Sequence, residues 1–304
     1  MKEKIKTFFC VLILLGALPY IITSVLQGKA GVEKETSILP AKNQTEEKKD
    51  IEESLMGIVA KEMPITYEME ALKAQAVIAR TNLMAALENG EELPEAVSRE
   101  ELMKLWGSDD SGRNYQRVTE AVKATEGVVI TCQGDYIYAA FHAVSAGKTR
   151  NAAEALKNEK MPWLAGTDSR EDVSSEDYLK VVFLEKEEFR RRLKQTYPEA
   201  APEKENPLDG ITIDSRDGGD YVIQMKIGEK IISGEDFRNA LELNSACFYL
   251  KEVEGKVRIV TKGLGHGLGM SQYGANELAG QGAAYSEILG RYFKNVTIQK
   301  GTIQ

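Results

Sequence analysis

The stretch Glu70-Ala-Leu-Lys-Ala-Gln-Ala-Val-Ile-Ala-Arg-Thr-Asn82 is the strongest local constraint on what this chain can fold into. It consists largely of good helix formers and contains no Gly or Pro. At about 100° per residue, Glu70, Lys73, Val77 and Arg80 fall within about a quarter of the helix circumference, while Leu72, Ala76, Ala79 and Leu83 form a second, apolar stripe. One face must be met by a core. The other is left for solvent, ion pairing or chemistry. A Glu in the first turn is favoured by the helix dipole, and a Glu-Lys pair three residues apart is an ordinary surface pair, so the pattern alone does not make Glu70 a catalyst.

Around this helix the periodicity predicts an α+β protein. Ile51, Leu55, Ile58 and Val59 repeat at helical spacing, and Pro64 closes that helix. Asn89-Gly90 ends the central one. Pro94 opens a third helix running to Trp106, and residues 115–125 read as a fourth. The period then changes to that of strands: 128–132 and 136–141 flank Gln133-Gly-Asp135 as a hairpin. Residues 174–197 read as a charged helix, followed by a Pro- and Glu-rich linker to Pro207. Short strands follow at 211–214, 221–227 and 230–232, then a helix capped by Ser233, a hairpin around Glu254-Gly255, and a terminal helix over 285–292. Residues 50–304 are therefore expected to form one module, with about 174–260 as a smaller β-rich lobe inserted into it.

Three lysines, Lys2, Lys4 and Lys6, precede an uncharged run over 7–26. That run is long enough for roughly 30 Å of hydrocarbon, and the basic flank predicts a cytoplasmic N-terminus with the remainder outside. Residues 1–27 are thus expected to be an uncleaved single-pass anchor, and 28–49 a polar tether. The net charge of −8, with no basic cluster beyond the leader, argues against a nucleic-acid partner. Cys132 and Cys247 are read as unpaired and buried.

Two loop segments carry most of the remaining polar chemistry. Phe141-His-Ala-Val-Ser-Ala-Gly-Lys-Thr149 follows a strand, and its Gly-Lys-Thr ending mimics a P-loop; the glycine that a P-loop requires earlier is here His142, which excludes nucleotide binding by that device. The second segment, Gly263-Leu-Gly-His-Gly-Leu-Gly-Met-Ser-Gln-Tyr-Gly-Ala275, alternates glycine around His266. A histidine is the commonest switch and ligand residue, and this chain's two histidines both lie in these segments. No Cys-x-x-Cys or His-Glu-x-x-His spacing is present, so no metal and no cofactor is expected.

The central helix and these two loops, in this order and approximate spacing, resemble the stage II sporulation protein D family from about residue 51 to the C-terminus. The resemblance implies lytic cleavage of peptidoglycan glycan strands between N-acetylmuramic acid and N-acetylglucosamine, with a 1,6-anhydro product, at the sporulation septum and engulfing membrane. It places the catalytic acid on Glu70 and implies substrate contacts from Lys73, Arg80, His142, Ser145, Lys148, Thr149, His266, Ser271, Gln272 and Tyr273. For the acid role the pKa of Glu70 must be raised. Relatives thought to hold zinc use a cysteine near the first loop that has no counterpart here, where Ala143 follows His142. The resemblance further implies denuded glycan strands as substrate, and a cell-wall amidase and other engulfment membrane proteins as partners. It leaves open an alternative in which the domain binds glycan and activates the amidase without cleaving anything.

Overall fold

A computed structural model describes residues 44–200 and 204–301. The expected anchor over 7–26 lies outside the described residues, among which no helix is long and apolar enough to cross a membrane. Helix α1 (Gln44–Glu62) begins within the segment assigned above to the tether. Helix α2 (Met69–Asn89) contains the organising stretch and ends on Gly90, whose left-handed φ of 64° is the glycine-favouring geometry of a helix C-cap. The expected third and fourth helices are one helical run, α3 (Arg99–Ala124), broken at Gly107 where φ is 75°. It starts on a capping box between Ser98 and Glu101 rather than at Pro94.

Helix α2 departs from the two-faced helix expected of it. Val77 and Arg80, placed on the charged side, are both buried along with Leu72, Ala76 and Ala79. The reason is topological: α1, α3 and strand β1 (Val128–Cys132) all pack on α2, as do the C-terminal helices α7 (Gln272–Gly280) and α8 (Tyr285–Tyr292). The resulting core holds Leu55, Val59, Leu72, Ile78, Val118, Ile130, Leu289 and Phe293.

The β structure is divided among small sheets. Strand β1 is central between β2 (Asp135–Tyr136) and β11 (Thr297–Lys300). The chain leaves the hairpin after Tyr136, so the expected long second strand is short, and Asn82 takes over part of its pairing: its amide donates to the Ala139 carbonyl and accepts from the Ala139 N–H. Strand β3 (Phe141–His142) then pairs in parallel with β10 (Met270–Ser271). A four-residue helix, α4 (Ala152–Ala155), and a 3-10 turn (Arg170–Ser174) lead to the second part of the fold.

The expected helix over 174–197 is half strand: β4 (Leu179–Glu185) precedes helix α5 (Lys186–Thr196). The Val181-Val182-Phe183 run suits a strand, and β9 (Lys256–Lys262) offers an edge along its whole length, which outweighs the helical charge pattern. β9 also pairs with β8 (Phe248–Val253). Strands β5 (Ile211–Arg216), β6 (Val222–Ile227) and β7 (Lys230–Ser233) form a further antiparallel sheet, and helix α6 (Gly234–Leu241) begins on the Ser233 cap. These elements share a second core of Phe189, Leu193, Met225, Phe237, Phe248 and Ile259. Cys132 and Cys247 are free and buried.

Candidate functional site

The two Gly-rich loops lie side by side. Beyond the β3–β10 pairing, Val144 and Leu264 exchange both backbone hydrogen bonds, the Arg150 N–H donates to the Gly267 carbonyl, and the Tyr273 N–H donates to the Ala143 carbonyl. Close approach requires the glycines: a Cβ at Gly269 would fall onto the Ala140 carbonyl, and one at Gly265 would lie 2.8 Å from the His142 Cβ.

Most side chains expected to touch substrate nevertheless point into the protein. His142 is buried and its Nδ1 lies 3.0 Å from the Leu268 carbonyl oxygen, while His266 Nδ1 accepts from the Leu268 N–H at 3.1 Å. The two rings, 5.7 Å apart, thus clamp one residue of the second loop. Burial pushes the His142 pKa down to about 4, and burial together with the neighbouring His142 and two arginines holds His266 well below the usual histidine value, so both rings are neutral near pH 7. Ser145 and Ser271 converge on Asp172, a fully buried carboxylate that accepts from the Ser145 N–H at 3.0 Å and from Ser271 Oγ at 2.7 Å. Burial raises the pKa of Asp172 against the pull of those hydrogen bonds. Thr149 is buried and exchanges hydrogen bonds with the Thr167 backbone. Lys148 is exposed, and Tyr273 is half-buried.

Arg80 does not share a surface with Glu70. It is buried, with Nε and Nη2 each 2.7 Å from the Glu52 carboxylate and further bonds to the carbonyls of Val122 and Val128. Its role is to tie α2 to α1 and to the end of α3. Glu70 is half-exposed and already engaged: Lys73 Nζ is 2.6 Å from Oε1, and the Tyr285 N–H donates to Oε2 at 2.8 Å. Burial acts to raise its pKa, but the hydrogen bonds from Lys73 and Tyr285 and the Lys73 charge outweigh it, and the net shift is downward. The expected raised pKa at Glu70 is corrected by this pairing.

Besides the buried Asp172, a carboxylate with a raised pKa is Glu62, the last residue of α1. The residue remains open to solvent, yet desolvation of its carboxyl by surrounding protein pushes its pKa up, against the smaller opposing effect of Lys61. Its charge in turn adds to the burial that raises the pKa of Tyr138. The segment that follows is tightly held. Arg117 donates to the carbonyls of Ile65 and Tyr67, Asn276 Oδ1 accepts from the Glu68 N–H, and Gln272 Nε2 donates to the Glu62 carbonyl at 2.8 Å. The first residue of α7 thus bonds the end of α1 at Glu62 and the first residue of α8 bonds the start of α2 at Glu70, while Tyr273 adds to the burial that raises the pKa of Tyr67. A surface depression between α1 and the start of α3, lined by Glu53, Met56, Gly57, Val97, Leu102 and Tyr115, contains none of these residues. Among the described residues no three His, Cys, Asp or Glu side chains converge as a metal site would require.

Glu62 stands two residues before Pro64, which the sequence marks as the end of its helix. A usable signal was present: an acid at a helix C-terminus opposes the dipole, and such a misfit draws attention to a functional group. Asp172 had no comparable local signal.

Residues 41–132, which include Glu62 and Glu70, match the family model described as Stage II sporulation protein. The chain is 35% identical over 272 residues to stage II sporulation protein D of Bacillus amyloliquefaciens, covering 85% of this chain and 76% of that protein. The chain belongs to the stage II sporulation protein D family. The family member of Bacillus subtilis is 33% identical over 276 residues, covering 85% of this chain and 77% of its own. The amidase enhancer of the same organism is more distant, 25% identical over 294 residues and 40% of its length. Family membership makes this a sporulation protein.

Proposed function

We propose that this protein acts on the cell wall during endospore formation as a lytic transglycosylase, with Glu62 as its acid and base. The observation that carries the reading is geometric: the Glu70 carboxylate is occupied by Lys73 at 2.6 Å and by the Tyr285 N–H at 2.8 Å, whereas Glu62 stays open to solvent within reach of the Tyr138 phenol, and the protein around its carboxyl acts to raise its pKa. Hydrolysis of a glycoside ordinarily takes two carboxyl groups, whereas lytic cleavage needs one, because the substrate supplies the nucleophile. Protonated Glu62 gives its proton to the glycosidic oxygen as the bond from C1 of the muramic acid breaks. The resulting carboxylate then takes the proton of the muramic acid 6-hydroxyl while that oxygen bonds to C1, closing the 1,6-anhydro ring without water. Tyr138, exposed beside Glu62, and the half-buried Tyr67 and Tyr273 give the site amphipathic surfaces of the kind that sugar rings pack on. Membrane attachment through residues 1–27, a glycan-strand substrate and an amidase partner complete the proposal.

A second reading is supported by the amidase-enhancer relative: the same surface would hold glycan and stimulate an amidase. Purified protein incubated with peptide-free glycan strands separates the two. Glu62→Gln is expected to lower anhydro-product release by about 10²- to 10⁴-fold while retaining the fold. Glu70→Gln is expected to keep cleaving, with a loss of stability. Normal cleavage by Glu62→Gln removes the acid assignment, and a folded but inactive Glu70→Gln transfers it to Glu70. Activity should also fall as pH rises through the raised pKa of Glu62, since the protonated form starts the reaction.

A further inference from the structure

Glu62 ends its helix under an unusual cap. The last carbonyls of a helix lack intrahelical partners, and Pro64 prevents the chain from continuing to supply them. The Glu62 carbonyl is met instead by a side chain 210 residues away in sequence, Gln272 Nε2 at 2.8 Å. Gln272 is itself aligned from below: Gln75 Oε1, on the buried side of α2, lies 3.3 Å from the same amide nitrogen. Both glutamines are buried, at 0% and 5% exposure for Gln75 and Gln272.

The orientation of the pair follows from chemistry. The Glu62 carbonyl accepts only, so Gln272 must present its NH₂ group there; the second hydrogen of that group then requires an acceptor, which fixes the Gln75 oxygen toward Gln272. The Gln75 Nε2 is left buried with no partner. A buried unsatisfied donor costs about 1–3 kcal/mol, and an apolar residue at 75 would avoid it. Packing alone does not account for an amide at this place.

We propose that Gln272, aligned by Gln75, is a positioning residue: it pins the last turn of α1 and thereby holds the Glu62 carboxyl against the protein surface in the orientation that delivers its proton. This deepens the function proposed above and rests on it. It also reassigns Gln272, expected from the family resemblance to contact substrate, to a role exerted through Glu62.

The test uses the full chain and the variants Gln75→Met and Gln272→Met. Gln75→Met discards one orphan donor but leaves the second hydrogen of the Gln272 amide without its acceptor, so it is expected to fold with a stability close to the parent's. Freed from its pin, Glu62 takes up more water. Its pKa, followed by NMR of ¹³C-labelled glutamate carboxyls and assigned by loss of the signal in Glu62→Gln, is expected to fall toward the ordinary value. The alkaline limb of the kcat profile on peptide-free glycan strands is expected to move to lower pH with it. kcat should drop by about 10- to 100-fold, the effect of misplacing a reacting group by about 1 Å, with KM little changed. Should Gln272→Met fail to fold, Gln75→Met decides alone. An unchanged Glu62 titration and unchanged kcat in folded Gln75→Met overturn the positioning role, and a raised KM with unchanged kcat returns Gln272 to substrate binding. Full activity of Glu62→Gln would instead overturn the acid assignment, an outcome distinguishable from both because the carboxyl titration is read without turnover.

Discussion

Replacing Arg80 by Met tests whether its charge is structural. The guanidinium makes two 2.7 Å bonds to Glu52 and further bonds to the Val122 and Val128 carbonyls, with its side chain 3% exposed and that of Glu52 19%. Met approximates the length of the Arg stem and retains most of the packing. What is lost is the partner of a largely buried carboxylate and of two interior carbonyls. Breaking one side of such a pair costs about 3–5 kcal/mol, much of it the penalty on the charge left behind. For a protein of this size each kcal/mol lowers Tm by about 2–4 °C, which gives a drop of about 6–20 °C. The double variant Glu52→Met with Arg80→Met removes both charges and should recover a large part of the loss, because an apolar pair at such a site is often as stable as the ion pair. Urea unfolding of the parent, the two singles and the double completes the thermodynamic cycle. An Arg80→Met protein that unfolds within about 1 kcal/mol of the parent yet no longer binds glycan would refute the structural assignment and restore the substrate contact.

Acid should destabilise the protein through His142. Its folded pKa of about 4 lies below the unfolded value near 6.5, so nothing is lost above pH 6.5; as pH falls below it the unfolded chain takes up a proton that the folded one refuses, at about 1.4 kcal/mol per pH unit, until the effect levels off near pH 4 at about 3 kcal/mol. His142→Asn should flatten that slope by about one proton in urea unfolding measured between pH 6.5 and 4.5, and an unchanged slope would contradict the burial of a neutral ring. Gly269→Ala should destabilise by more than about 2 kcal/mol, since φ there is 70° and the new methyl would meet the Ala140 carbonyl; a stable variant would show that the loop pairing is loose.

Features written in neighbouring residues were legible in the sequence. Gly90 after α2, Ser233 before α6 and the Glu254-Gly255 turn between β8 and β9 each act within a few residues, and each is found where the local chemistry puts it. Features decided by distant partners were not. Arg80 on the charged stripe looks identical whether it meets solvent or Glu52, and the difference lies 28 residues upstream. The segment holding β4 carries enough charge to pass for a helix, and only the edge of β9 converts it into a strand. The Gly-rich loops were recognised as related, but their direction was not: backbone pairing turns His142, Ser145 and Ser271 inward onto Leu268 and Asp172, a carboxylate lying between the two motifs in sequence and in neither.

The same distinction governs the two glutamates. Glu62 occupies the C-terminal end of α1, where the helix dipole disfavours negative charge, and Glu70 the first turn of α2, where the dipole favours it. The intervening segment returns the chain so that α1 and α2 pack on each other, and the two glutamates stand at helix ends of opposite dipole sign. Lys73 then deepens the contrast by pairing with Glu70 at 2.6 Å, which keeps that carboxylate ionised and occupied with the α8 terminus. A single-acid mechanism needs this separation. One carboxyl must hold its proton until the glycosidic oxygen takes it, and a second uncommitted acid in the same state would contribute only a competing proton donor. On the proposed reading, the helix boundary at Pro64 and the helix start at Met69 favour Glu62 over Glu70 as the acid.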